Sequence, residues 1–166
     1  RRHSFPTRRS SDLAATAAEI IKLFAEVVIA PVAPGLFSAN GNGQGVAAGY
    51  VLRVKPDGTR SSEPIARYDE TRKELVAIPI DLGAEGEQVF FIGFGSGVRG
   101  RSALSAVRAT IGGVVATLNY AGPQTETPGL DQLNILLPRV LGGRGDVELL
   151  LTVDGKAANP VRLTIR

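Results

Sequence analysis

The chain has 166 residues, of which 43% are hydrophobic, 21% charged and 5% aromatic, and its formal net charge is +3. It contains no Cys, Met or Trp and a single His. A disulfide framework is therefore excluded, and the usual ligands of zinc and the usual His base of a Ser nucleophile are missing. No two carboxylates can be assigned acid and base roles from their spacing. The composition predicts a protein that is not an enzyme, with no catalytic residues, no metal site and no cofactor.

Residues 3–13 read His-Ser-Phe-Pro-Thr-Arg-Arg-Ser-Ser-Asp-Leu, which resembles the translation of a short-read sequencing adapter. We interpret residues 1–13 as an artefactual, adapter-derived tail and leave them out of the fold prediction. The tail holds four of the 19 basic residues, one of the 16 acidic residues and the single His. The rest of the chain therefore carries no net charge, and it lacks the basic surplus that nucleic-acid binding needs.

Residues 14–30 are interpreted as a stub of an upstream segment. Their apolar residues recur at helical spacing, which predicts a short helix over about 15–26. The alternative is a strand, because the apolar run 27–30 leads directly into Pro31. Glu19, Lys22 and Glu26 interrupt the apolar sequence, so neither a signal peptide nor membrane insertion is expected.

The absence of Met from residues 14–166 predicts that the chain begins inside a longer gene product. Residues 161–166 have the pattern of a last strand, which predicts that a domain closes there. Residues 31–166 are numerous enough for one domain with a substantial core.

From Pro31 onward, short apolar runs alternate with Gly, Pro and Asp, a pattern typical of a β-sandwich. Pro56-Asp57-Gly58, Gly112-Gly113 and Asp154-Gly155 each predict a turn between strands. Residues 88–94 are almost continuously apolar, which predicts burial on both faces of the sheet. We predict eight or nine strands, at 50–55, 62–68, 75–80, 88–94, 107–111, 114–120, 130–137, 147–153 and 161–165.

The segment 33–37, Ala-Pro-Gly-Leu-Phe, predicts a bend followed by two core residues. Pro34 restricts φ and Gly35 accepts unusual backbone angles. We expect Leu36 and Phe37 both to enter the core between the sheets, where each apolar side chain contributes about 1.5–3 kcal/mol.

Nine motifs in residues 31–166 carry a family resemblance: Val32-Ala-Pro-Gly-Leu-Phe-Ser-Ala-Asn40, Gly43-Gln-Gly-Val-Ala-Ala-Gly49, Pro79-Ile-Asp-Leu-Gly83, Gln88-Val-Phe90, Arg101-Ser-Ala-Leu-Ser105, Thr110-Ile-Gly-Gly113, Tyr120-Ala-Gly-Pro123, Gly129-Leu-Asp-Gln132 and Leu151-Thr-Val-Asp-Gly-Lys156. Through them, residues 31–166 resemble the uncharacterised C-terminal domain of Solibacter-type acidobacterial secreted proteins. The resemblance implies an immunoglobulin-like antiparallel β-sandwich that ends a larger exported protein, at the cell surface or outside the cell, with no established catalytic activity. The implied partners are the upstream domains of the same polypeptide and an extracellular or cell-surface protein or glycan. Residues 111–122 are also similar to the sandwich repeats called IPT or TIG, whereas residues 14–29 depart from the β-rich sequence that precedes the family's Ala-Pro-Gly motif.

A carbohydrate- or ligand-binding sandwich module is the alternative function. Sugars stack on exposed aromatic rings, and the lack of Trp weakens this alternative. The candidate ligand-binding residues are Tyr50, Tyr68 and Tyr120. The feature that discriminates between the two functions is whether these rings lie exposed on a flat sheet face.

Three other motifs have a simple structural interpretation. The Arg144-Gly145-Asp146 tripeptide is interpreted as a polar turn rather than an adhesion motif. The Gly-rich segments 41–45 and 93–97 lack a following helix and are interpreted as scaffold rather than phosphate loops. The acids have no calcium-loop spacing and are interpreted as solvated loop residues, with Asp131 capping a turn. These acids are Asp69, Glu70, Asp81, Glu85, Glu87 and Asp131.

Overall fold

The computed structural model describes the backbone of Arg2–Pro6 and Lys22–Glu26 and all of residues 29–166. The chain divides into two compact units, Arg1–Ala30 and Pro31–Arg166. In the first unit, strand β1 (Arg2–Pro6) pairs antiparallel with strand β2 (Lys22–Glu26). The helix predicted over about 15–26 is therefore wrong for residues 22–26, and its residues 15–21 lie outside the described residues. Cross-strand pairing overrides the helical spacing of the apolar residues.

The second unit is all-β, with two short 3₁₀ turns at Leu104–Ala106 and Arg139–Leu141. Its twelve strands include two that are only two residues long, β3 and β13. The strands are β3 (Gly35–Leu36), β4 (Gly49–Val54), β5 (Arg60–Pro64), β6 (Ala66–Asp69), β7 (Glu74–Ala77), β8 (Gln88–Ser96), β9 (Val107–Ile111), β10 (Val114–Pro123), β11 (Asp131–Leu136), β12 (Gly145–Val153), β13 (Lys156–Ala157) and β14 (Val161–Ile165). The predicted strands at 107–111 and 161–165 are confirmed.

Two antiparallel sheets share strand β10. The large sheet has the order β5-β4-β8-β11-β10, and β3 also pairs with β8. The small sheet has the order β10-β9-β12, and both β13 and β14 pair with the far side of β12. Residues 114–116 of β10 pair with β9, whereas residues 117–123 pair with β11, with a register shift between Leu118 and Tyr120. The bulge lets one strand leave one sheet and join the other, as at the corner of a β-sandwich.

Apolar side chains from both sheets form one core. Burial alternates along β11 and β12, since successive side chains of a strand point to opposite faces. The largest fully buried side chains in this core include Phe91, Leu133, Leu149 and Leu163. This packing defines the β-sandwich.

The same alternation corrects one expectation about the Ala-Pro-Gly-Leu-Phe segment. Leu36 is buried in the core as predicted, but Phe37 is 43% exposed. Adjacent residues of an extended segment cannot both face the core. Asn159 holds this segment in place, because its side chain accepts a hydrogen bond from Leu36 N and donates one to Leu36 O, both at 2.9 Å.

The predicted hairpin around Pro56-Asp57-Gly58 is confirmed by the pairing of β4 with β5. The predicted strand 62–68 is instead divided into β5 and β6 at the buried Ile65. Strand β6 pairs with β7 as a separate hairpin. Among the described residues, no helix is long and apolar enough to cross a membrane.

The outer edge of β14 is covered by two other segments. Arg162 N donates to Gly45 O at 2.6 Å, and Ala47 N donates to Arg162 O at 2.9 Å. Further along, Ile80 N donates to Thr164 O at 2.7 Å and Arg166 N donates to Ile80 O at 2.9 Å. A strand from another protein therefore cannot pair with these backbone groups of β14.

Candidate functional site

A row of four side chains crosses the outer face of the large sheet. Tyr50 of β4 lies opposite Ile92 of β8, Ile92 lies opposite Asn134 of β11, and Asn134 lies opposite Tyr120 of β10. Directly paired residues of neighbouring strands share one face of a sheet. This face is the outer one. Val51, between Tyr50 and Leu52 in β4, belongs to the core, so its two neighbours point to the opposite side of the sheet.

Two further rows lie on either side. Leu52, Phe90 and Leu136 are paired in one of them, and Phe94 is paired with Gln132 in the other. None of these side chains carries a formal charge. We call this surface the aromatic face, and it comprises Tyr50, Leu52, Phe90, Ile92, Phe94, Tyr120, Gln132, Asn134 and Leu136.

The side chains of the aromatic face are partly exposed, with one exception. Ile92, at the centre, is only 2% exposed although it lies outside the core between the sheets. The prediction that residues 88–94 are buried on both faces is thus correct for Ile92, while Phe90 and Phe94 remain partly accessible. The Tyr50 and Phe94 rings are 6.2 Å apart between centroids at an angle of 49°, a favourable aromatic arrangement.

Two amide side chains lie between the aromatic residues. Gln132 Nε2 donates to Asn134 Oδ1 at 2.7 Å. Within the described residues, neither Asn134 Nδ2 nor Gln132 Oε1 has a hydrogen-bond partner in the protein. A free amide nitrogen and a free amide oxygen are therefore available in the middle of the aromatic face.

Arg101 lies at one corner of this face. A Cβ atom added to Gly122 would be 3.0 Å from Arg101 Nη1 and 3.2 Å from Tyr120 Oη. Because Gly122 lies opposite Gln132 and two residues after Tyr120, this Cβ would point out of the aromatic face. Tyr120 Oη donates to Pro123 O at 2.6 Å, which holds the ring along the strand beside Arg101.

The Arg101 guanidinium has no carboxylate partner among the described ion pairs. Its Nε is buried and has no hydrogen-bond partner within the described part of the chain. Sequence analysis missed Arg101, as well as Gln132 and Asn134. The alternation of polar and apolar residues at 131–136 was a signal for the two amides, but no local pattern places Arg101 beside Tyr120.

Two buried or anchored carboxylates fix the loop that carries Arg101. Asp131 is completely buried, and its Oδ2 accepts hydrogen bonds from Val98 N at 2.7 Å and Arg99 N at 3.2 Å. Its Oδ1 accepts from Arg99 Nε at 2.7 Å. On the other side of Arg101, Asp154 accepts hydrogen bonds from the backbone N and the hydroxyl of Ser102. The interpretation of Asp131 as a turn-capping residue is confirmed.

The structure brings together two of the three predicted tyrosines. Tyr50 and Tyr120 lie in the same row of the aromatic face, each partly exposed. Tyr68 is 50% exposed but lies on the β6–β7 hairpin, outside that face. The single-sequence prediction could not separate Tyr68 from the other two, because strand order depends on long-range pairing.

A second cluster of charged residues anchors the loop after Ile80. Arg53 is 8% exposed and donates to both carboxylate oxygens of Glu63, at 2.6 and 3.0 Å, and to Glu87 at 2.8 Å. It also donates to Asp81 O at 2.8 Å. The hydrogen bond from Arg53 holds the pKa of Glu63 below its ordinary value, and the bond to Glu63 raises the pKa of Arg53. Every nitrogen of this guanidinium is used inside the protein, so the cluster is structural.

The other candidate motifs also have structural partners. Arg144 Nη1 donates to Gly112 O at 3.1 Å, and Asp146, in β12, accepts a hydrogen bond from the Thr164 hydroxyl. The Arg-Gly-Asp tripeptide therefore enters a paired strand. Within the residues that the structure describes, no group of three His, Cys, Asp or Glu side chains could hold a metal ion.

A polar groove of about 740 Å³ lies between the β6–β7 hairpin and the β12–β14 pair. Its charged residues have both signs, with Arg72 and Arg162 beside Glu74, Asp146 and Glu148. Such a mixed lining does not select one class of ligand. The aromatic face, with its uniform chemistry, is the stronger candidate site.

A scan of protein-family models, a search of curated proteins and a search of solved structures each found no match to this chain.

Proposed function

We propose that residues 31–166 form a non-catalytic interaction module of a larger exported bacterial protein, located outside the cell or at its surface. The aromatic face carries this proposal, because partly exposed aromatic and aliphatic side chains aligned in rows are typical of a recognition surface. The exported location and the upstream domains rest on the family resemblance. The immunoglobulin-like class of the sandwich rests on the same resemblance and on a strand that belongs to both sheets.

The charged residues of the interior support a structural role for the rest of the domain. Arg53 and Asp131 hold loops through backbone and side-chain hydrogen bonds. Buried groups with satisfied partners fix a conformation rather than react with a substrate. The loops at the rim of the aromatic face are thereby kept in place.

The first test is to read the native coding sequence upstream of residue 14 from adapter-free DNA of the source organism. We expect a signal peptide and a long exported protein. A short reading frame without an export signal, beginning near Ala14, would overturn the assignment as an appended, exported module.

The second test uses the full native protein and compares two matched variants. Phe90→Ser changes the aromatic face, and Leu150→Ser changes the outer face of the small sheet, where Leu150 is 46% exposed. We expect Phe90→Ser to lower the fraction of protein retained on the cells and Leu150→Ser to leave it unchanged, with equal circular dichroism spectra. Equal retention of both variants would remove the aromatic face as the interaction surface.

A carbohydrate- or ligand-binding module is the second candidate function. The specific observation in its favour is that Tyr50 and Tyr120 lie in one row with Asn134 between them. Rings and amides in this order match the apolar faces and the hydroxyl groups of a sugar chain.

A further inference from the structure

Arginine side chains lie beside the uncharged aromatic face. Its nine residues are uncharged, and Arg101 adds a guanidinium at the corner beside Tyr120 and Gly122. Arg53 and Arg99, by contrast, form ion pairs with carboxylates of the same domain. On the opposite side, Arg60 of β5 is exposed and pairs with Val54, which shares the face of Leu52. A ligand that lies along this face therefore meets positive charge on two sides.

The dimensions of the face favour an extended ligand. Tyr50 and Tyr120 are three strand positions apart, which corresponds to about 14 Å at the ordinary spacing between strands. The free amide donor and acceptor of Asn134 and Gln132 lie between them. A single small molecule would not reach both rings and the Arg101 guanidinium.

The three central strands of the face offer no free backbone groups to a ligand that lies across them. Strands β4, β8 and β11 are each paired on both sides. A peptide that adds to a sheet needs free backbone groups at a strand edge, and these strands have no such edge. The aromatic face instead offers rings, amides and a guanidinium, all of them side chains.

From these observations we propose that the aromatic face binds a polysaccharide that carries uronate groups, and that Arg101 pairs with a sugar carboxylate while Tyr50 and Tyr120 contact the sugar rings. The inference rests on the proposed function, since it assigns a ligand to the same face. A planar guanidinium can bind a carboxylate through two parallel hydrogen bonds. The anchors of the Arg101 loop, Asp131 and Asp154, hold this group in position before the ligand arrives.

The test is affinity gel electrophoresis of the full chain in gels that contain polygalacturonate, hydroxyethylcellulose or poly-L-glutamate. We expect polygalacturonate to retard the protein, and retardation to weaken at higher salt. Arg101→Gln should weaken the apparent affinity about tenfold, because it removes a charge-assisted pair. Tyr120→Ala should also weaken retardation.

Two variants are matched controls. Arg108→Gln removes an exposed arginine from the outer face of the small sheet, and Tyr68→Ala removes an exposed ring from the β6–β7 hairpin. Both should bind polygalacturonate like the unaltered chain. Thermal denaturation checks that every variant is folded, and Arg101→Gln, a change in a partly exposed side chain, keeps the test decisive if Tyr120→Ala unfolds.

Four results would overturn the inference: no retardation by polygalacturonate, retardation unaffected by Arg101→Gln, equal retardation by hydroxyethylcellulose, or equal retardation by poly-L-glutamate. The last two would identify a neutral glycan or an acidic peptide as the ligand. If uronate binding fails while Phe90→Ser still lowers retention on cells, the ligand class is wrong and the proposed interaction function survives.

Discussion

The middle of the large sheet's outer face carries three rows of uncharged, largely aromatic and aliphatic side chains, with the charged Arg60 only at its edge. The outer face of the small sheet instead carries Arg108, Asp146, Glu148 and Arg162. Both sheets bury their inner faces in the same core. An ordinary antiparallel sheet alternates apolar inward and polar outward residues. The small sheet follows this rule and the large sheet departs from it, and the departure marks the surface that we propose for recognition.

The largest expected effect concerns the loop that brings the cation Arg101 to the aromatic face. Asp131→Ala leaves Val98 N and the Arg99 side chain without their buried partner, and we expect a loss of about 3 kcal/mol in the free energy of unfolding. Asp146→Ala on the small sheet's outer face is the control, with a much smaller loss because Asp146 is exposed. Urea denaturation measures both. Equal losses would show that Asp131 does not anchor the loop.

Ile92 and Leu150 compare the two outer faces directly. Ile92 is 2% exposed and Leu150 46% exposed. Ile92→Ala should cost about 2 kcal/mol, and Leu150→Ala should stay within about 0.5 kcal/mol. Chemical denaturation measures the free energy of unfolding of both variants. If Ile92→Ala is as mild as Leu150→Ala, the aromatic face is not packed around its central residue.

A smaller effect concerns the pH dependence of the ion pair between Arg53 and Glu63. Arg53 lowers the pKa of Glu63 from its ordinary value of 4.5, so the folded state binds this proton less readily than the unfolded state. The stability from the pair is therefore complete above pH 4.5 and is lost as the pH falls through the lowered pKa. The pKa values of Asp57, Asp69 and Asp81 are also lowered. Because these carboxylates add to the pH dependence, Glu63→Gln is compared with the unaltered chain. Glu63→Gln should flatten the fall in thermal midpoint between neutral and acidic pH, and an unchanged slope would contradict the assignment.

The smallest effect separates the two tyrosines of the aromatic face. Tyr120→Phe removes the hydrogen bond to Pro123 O and should cost about 0.5–1 kcal/mol. Tyr50→Phe is the control, because the Tyr50 hydroxyl has no partner among the described hydrogen bonds, and its stability should not change. Differential scanning calorimetry measures the thermal stability of both variants. A Tyr50→Phe loss as large as that of Tyr120→Phe would argue against a held Tyr120 ring.

The sequence was sufficient to predict the strands that are bounded by strong turn residues. Pro56-Asp57-Gly58 and Gly112-Gly113 predict their hairpins because these residues adopt the required backbone angles, and Gly58, Gly112 and Gly113 have positive φ. The break at Ile65 was not predicted, because β5 and β6 belong to two separate hairpins that no turn residue between them announces. For the segment before Pro31 a strand was only the alternative prediction, because the helical spacing of the apolar residues favoured a helix. The same limit applies to the site: Tyr50 and Tyr120 were selected by residue type, but their common row requires the strand order β4-β8-β11-β10.

The hydrogen bonds on both sides of β14 have a mechanical consequence. The strand is tied to β12 along Val161–Ile165 on one side and to Gly45, Ala47 and Ile80 on the other. A force applied to Arg166 along the strand axis loads these bonds in shear, so many must break together instead of one after another. The last strand of the domain should therefore resist extension more strongly than a strand that is held on one side only.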